Sequence, residues 1–96
     1  MKRGLTDHEL ELLASSSGYA VEASDGHVGE VETPLFPPDR SDPDYLVIRV
    51  GGTAGLRRPV VATVLVEEVD DAHGLVRVRG TKDEIATLPE HLPLAI

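Results

Sequence analysis

Asp44-Tyr45-Leu46-Val47-Ile48-Arg49-Val50 is the most strand-like stretch of this chain. Side chains on a strand alternate between two faces, so Leu46, Ile48 and Val50 share one face and Tyr45, Val47 and Arg49 the other. The first set is expected to fill an interior. The stretch runs into Gly51-Gly52-Thr53-Ala54-Gly55, a turn that leads to Arg57 and Arg58. Val60 to Val69 is a second long β-prone run, interrupted by Glu67-Glu68 near its end. Asp70-Asp71-Ala72-His73-Gly74 supplies another turn. Leu75-Val76-Arg77-Val78-Arg79 then alternates cleanly, with Val76 and Val78 inward and the arginines outward, until Gly80 stops it.

Upstream, Pro34, Pro37, Pro38 and Pro43 break any ladder in a loop of mixed proline and aspartate. Before that loop, Tyr19, Val21 and Ala23 alternate, Ser24-Asp25-Gly26-His27 offers turn chemistry, and Val28 to Thr33 forms the return strand. Val28 and Val31 are an odd number of residues apart, so both face inward only if the strand bulges, and Gly29 is the residue to allow it. At the N-terminal end, Thr6 and Glu9 match a capping box that opens a short helix bearing Leu10 and Leu13. Ser15-Ser16-Ser17-Gly18 reads as a hinge. Residues 1–18 are thus expected to be a helix and linker, and residues 19–96 the β domain. Thr81 and Glu84 form a second capping box, Ile85 and Leu88 give that helix an apolar side, and Pro89 ends it. The tail Leu92–Ile96 is apolar.

The chain's 96 residues suffice for one small domain with a thin core. Tyr19, Phe36 and Tyr45 are its whole aromatic complement, so that core must come from Val, Leu, Ile and Ala. Seventeen acidic against nine basic residues give a formal charge of -8, which repels phosphate backbones and argues against direct nucleic-acid binding. Lys2-Arg3, Arg57-Arg58 and Arg77/Arg79 are too short to form a basic footprint. Without cysteine there is no disulfide framework and no thiolate metal site. No apolar run approaches the ~20 residues of a membrane span, and the N-terminal residues lack a signal-like apolar core. A cytoplasmic protein without a transmembrane segment is the expectation.

Candidate chemistry is sparse. His8, His27, His73 and His91 each stand near an acid in an expected turn or helix end, and no two share the i, i+4 spacing of a helical metal pair. They read as solvated turn histidines. Asp39, Asp42 and Asp44 lack the spacing of a calcium loop and its closing bidentate Glu. Gly51–Gly55 leads into a strand, where no helix N-terminus waits for a phosphate. Ser15–Ser17 lacks the strand–elbow–helix setting of a nucleophile. Glu67-Glu68 and Asp70-Asp71 read as solvated charges. No catalytic residue, metal or cofactor is expected, and the chain is not expected to be an enzyme.

From about Val21 to His91 the residues resemble the PRC-barrel family, named after the photosynthetic reaction centre. Asp25-Gly26-His27-Val28-Gly29-Glu30-Val31 resembles its opening D-G-x-x-I-G-x-V hairpin, and Tyr45-Leu46-Val47-Ile48 its Y-L-V-V strand. Gly51-Gly52 with Gly55-Leu56-Arg57-Arg58 resembles its glycine loop, Val66 to Asp70 its V-x-x-V-D segment, and Val76 to Pro89 its closing strand and T-K-x-x-I-x-x-x-P helix. Ala54 stands where an aromatic is common, no proline lies near Ala62, and Met1–Gly18 falls outside the match. The resemblance implies a mainly β fold: a small, strongly bent PRC-type β-barrel with a short helix at each end. Its better-known members are the cytoplasmic domain of the reaction-centre H subunit and the C-terminal domain of a bacterial ribosome-maturation factor. Both are docking modules, so the resemblance implies a non-enzymatic adaptor, including peripheral docking on a membrane complex. The alternative it implies is a ribosome- or RNA-maturation-associated factor that acts through a ribosomal protein.

A binding surface is expected on the outer side of the central strands. Tyr45-Leu46-Val47-Ile48 and Val64-Leu65-Val66 are apolar on both faces, whereas a barrel strand needs only its inner face apolar. The helix at Leu10/Leu13, the tail at Leu92–Ile96 or a second subunit must cover the outer side. A homodimer with Tyr45, Val47 and Leu65 at its interface is the simplest arrangement.

Overall fold

The computed structural model describes residues 7–36, 38, 43–51 and 55–90. They form a six-stranded mixed sheet with two short helices, a mainly β architecture as expected. The chain runs α1 (Asp7–Ala14), β1 (Ala20–Ala23), β2 (Gly26–Leu35), β3 (Tyr45–Arg49), β4 (Val60–Ala62), a 3₁₀ turn (Thr63–Leu65), β5 (Val66–Asp70), β6 (Leu75–Val78) and α2 (Lys82–Ala86). The strand order is β4-β3-β2-β1-β6-β5, and every neighbouring pair is antiparallel except β1 with β6.

Register explains why these residues make the core. Val21 stands opposite Val76, and Val76 opposite Val69. Val31 pairs with Ile48, Leu46 with Val61, and Val66 with Val78. All of these side chains are buried, joined by Leu13 of α1 and Ile85 of α2. The core is therefore rows of β-branched and leucine side chains lying across the strands. The expected bulge in β2 is present: Val21 pairs with Gly29 and Glu22 with His27, leaving Val28 as the extra residue beside the glycine. Gly29 itself is buried against β3, and a Cβ there would overlap the carbonyl oxygen of Arg49. A second irregularity at Glu32 lets Val31 and Pro34 both face inward.

The Val60–Val69 run, expected as one strand, is instead two strands separated by a 3₁₀ turn. Topology gives the reason. β4 and β5 are the two edges of the sheet. In a flat sheet five inter-strand gaps would hold those edges about 24 Å apart. Four residue steps from Ala62 to Val66 reach at most about 14 Å. The sheet must curl so that its edges meet at this corner. Two hydrogen bonds clip the turn to both halves of the sheet: Thr63 N–H donates to Asp44 O (2.8 Å), and Arg79 N–H donates to Leu65 O (2.7 Å). No ladder joins β4 to β5 among the described residues, so the sheet is bent but open.

The two helices close the core from outside. α1 packs on β5 and α2 on β2 and β1. The Ser15–Gly18 connection is hydrogen-bonded to its neighbours. The buried Ser16 hydroxyl donates to Leu13 O (2.8 Å), Tyr19 N–H donates to Ser16 O (2.9 Å), and Gly18 N–H donates to Val31 O (2.7 Å). Leu13 sits in the same core as the strands. The Thr6 cap and the Leu92–Ile96 tail lie outside the described residues. No helix among the described residues is long and apolar enough to cross a membrane.

Candidate functional site

The three residues expected at an interface have three different fates. Tyr45 lies on the outer face of β3 and is 46 % exposed. Val47, two residues along the same face, has no exposed surface at all. It cannot line an interface, and this corrects the sequence reading. β3 is an interior strand, with Thr33 of β2 and Val60 of β4 directly across from Val47. A strand buried on both faces shows a continuous apolar run, which is how Leu46-Val47-Ile48 reads in hindsight. Leu65 is half-buried, packs against the core from the 3₁₀ turn, and faces α2 across a cleft.

Three of the four large apolar side chains exposed among the described residues gather at one end of the sheet; the fourth, Leu56 (54 % exposed), precedes the Arg57–Val50 bridge at the other end of β3. Asp44 N–H donates to Leu35 O (2.9 Å) and Tyr45 pairs with both Leu35 and Ala62, so Phe36, Tyr45 and the 3₁₀ turn share the end where β2 and β4 finish and β3 begins. Phe36 is 46 % and Val64 66 % exposed. Next to Val64, the turn forms one wall of a cleft of about 270 Å³, lined by Leu65, Arg79, Gly80, Glu84, Ile85 and Leu88. Its floor is apolar, and its charged groups, Arg79 and Glu84, already have partners.

Those partners tie the walls of the cleft to the rest of the fold. α2 begins with the expected capping box: Glu84 N–H donates to Thr81 Oγ1 (3.2 Å), and Thr81 N–H donates to Glu84 Oε1 (2.9 Å). A further cap comes from far along the chain. Lys82 N–H donates to Asp25 Oδ1 (2.8 Å), and Ser24 N–H donates to Gly80 O (2.8 Å), so the β1–β2 turn holds the start of α2. Gly26, at φ 134°, lets the chain leave that turn. Arg79 lies 3.5 Å from Glu67 on the neighbouring strand.

Three more arginines are matched in the same way. Arg77 pairs with Glu68, Arg58 with Glu32 (3.0 Å) and Arg57 with Glu90 (3.3 Å). These four arginines, Arg79 included, therefore offer no open basic footprint, and Glu67-Glu68 are the acidic halves of a cross-strand ladder. His27 lies 3.5 Å from Glu30. His73 Nδ1 lies 2.8 Å from Asp70 Oδ2, and the hydrogen bond from His73 holds the Asp70 carboxyl below its usual value. His8 is exposed on α1, while His91, Asp39 and Asp42 lie outside the described residues. Among the described residues no three His, Asp or Glu side chains come together as a ligand set.

The cleft and Val64 were missed by the sequence reading, which placed Val64 within a continuous strand. Their only trace in the sequence is an apolar triplet, Val64-Leu65-Val66, too long for one face of a strand. Searches against protein-family models and against curated proteins find nothing that matches this chain.

Proposed function

We propose that the chain is a non-enzymatic protein-interaction module of PRC-barrel type, and that it docks its partner at the corner formed by Val64, Tyr45 and the α2 cleft. The observation that carries this reading is a contrast on the surface. Each arginine in the two expected basic patches at Arg57-Arg58 and Arg77/Arg79 has a carboxylate partner within the chain. Of the four large apolar side chains exposed among the described residues, Phe36, Tyr45 and Val64 share one end of the sheet, and Leu56 stands apart beside Arg57. Exposed apolar groups beside an apolar cleft are what a protein interface uses as anchors.

The PRC-barrel part of the reading rests on the elements that the quoted motifs occupy. The Asp25-Gly26 hairpin, the Tyr45–Arg49 interior strand and the Thr81-capped helix follow one another in the expected order. The short link between β4 and β5 gives the sheet the sharp bend that such a barrel requires.

Affinity purification from the native host tests the function. Wild type and a Val64→Asp/Tyr45→Asp variant are compared, with Arg77→Ala as a control on the β5–β6 ladder. The expected result is a stoichiometric protein recovered with wild type and Arg77→Ala and lost with the double variant. Equal recovery with all three refutes this surface.

A further inference from the structure

We propose that the α2 cleft takes an apolar side chain carried on a basic segment of the partner protein; this rests on the interaction reading above and names the chemistry of its partner. Two features of the molecule lead there. The first is the cleft itself. Leu65, Ile85 and Leu88 give it an apolar floor, and about 270 Å³ is room for one or two large aliphatic side chains. Val64, two-thirds exposed on the adjoining turn, extends the apolar surface outward.

The second feature is charge. The chain carries seventeen carboxylate side chains and nine Lys and Arg. Setting aside the four arginine–carboxylate pairs leaves thirteen carboxylates against five cations. The cleft lining itself holds one cation and one anion, Arg79 and Glu84. Arg79 in its wall is matched by Glu67. Glu84 also lines the cleft, and Asp83, outside the lining, is the next acidic residue in the exposed first turn of α2. Lys82 stands in the same turn, outside the cleft lining. It reaches over the β1–β2 turn, its Nζ 3.8 Å from where a Cβ on Gly26 would stand. An approaching chain with its own negative charge is repelled, and one with lysines or arginines flanking its apolar anchor is drawn in. A second copy of this chain, with its own charge of -8, is the less favoured occupant.

Four synthetic peptides of equal length test this. Three carry a central leucine pair flanked by lysines, by serines or by glutamates. The fourth carries the lysines with serines in place of the leucines. Binding is read from the methyl NMR signals of Leu65, Ile85 and Leu88 and from titration calorimetry. The expected result is that the lysine–leucine peptide shifts those three methyls and binds at least about tenfold tighter than the serine-flanked one. Its affinity should fall as salt rises from ~50 mM to ~500 mM. If the serine- or glutamate-flanked peptide binds the cleft as tightly, the basic partner is refuted while the docking surface stands. If the lysine peptide without leucines binds as tightly as the one with them, attraction is by charge alone and the cleft plays no part. If none of the four moves the cleft methyls, both the inference and the docking surface fail.

Discussion

Val47 and Tyr45 share the outer face of β3, two residues apart, yet one is sealed from solvent and the other nearly half exposed. Alternation along a strand says which side chains share a face; it does not say whether that face meets water. This is why the sequence located the strand and its inner residues, Leu46 and Ile48, but misjudged Val47. The difference has a measurable consequence. A carboxylate in place of a fully buried valine, with no cation to meet it, costs about 4 kcal/mol or more. Total stability for a domain of this size is about 5–15 kcal/mol, so Val47→Glu should be largely unfolded or have a greatly lowered denaturation midpoint. Tyr45→Glu, on the same face at the margin of the sheet, should shift stability by only about 1 kcal/mol or less. Chemical denaturation followed by circular dichroism separates the two. A folded Val47→Glu with an unchanged midpoint would show that the outer face of β3 is open after all.

The elements divide by whether their determinants are local. The β1–β2 hairpin, β6 and the capping box of α2 depend on neighbours in sequence, and each was legible there. Thr81 and Glu84 are three residues apart, and both of their reciprocal hydrogen bonds are formed. The Asp25–Lys82 bond, by contrast, ties residues from opposite ends of the domain and has no signature in spacing. The same holds for the 3₁₀ turn at Thr63–Leu65, where local β propensity favours a strand and the need to cross from one sheet edge to the other prevails. The cap is the element whose energy is easiest to isolate. Thr81→Ala removes the acceptor for the Glu84 amide, and the helix should lose about 0.5–2 kcal/mol. Thermal or denaturant melting reads this directly, and a change below a few tenths of a kcal/mol would mean that Asp25 and Glu84 suffice to hold the start of α2.

For the whole molecule, one connection sets the function proposed here. Because β4 and β5 are opposite edges joined by three residues, the sheet bends until the end of β4 and the start of β5 lie within the span of that turn, and the joining turn is left at the outer corner. Leu65 turns inward toward the core and α2, while Val64 is left in solvent. The exposed apolar corner is thus a product of the topology, which explains why the fold class was readable from strands and turns while the site was not. Charge adds to this at the same scale, since Arg57, Arg58, Arg77 and Arg79 pair with carboxylates within the chain and the surplus is acidic. A photo-crosslinking amino acid placed at position 64 in the native host measures the claim most directly, with the same amino acid at position 77 as the comparison. A discrete crosslinked protein at 64, absent at 77, is the predicted result; no product at 64, or the same product from both positions, would contradict it.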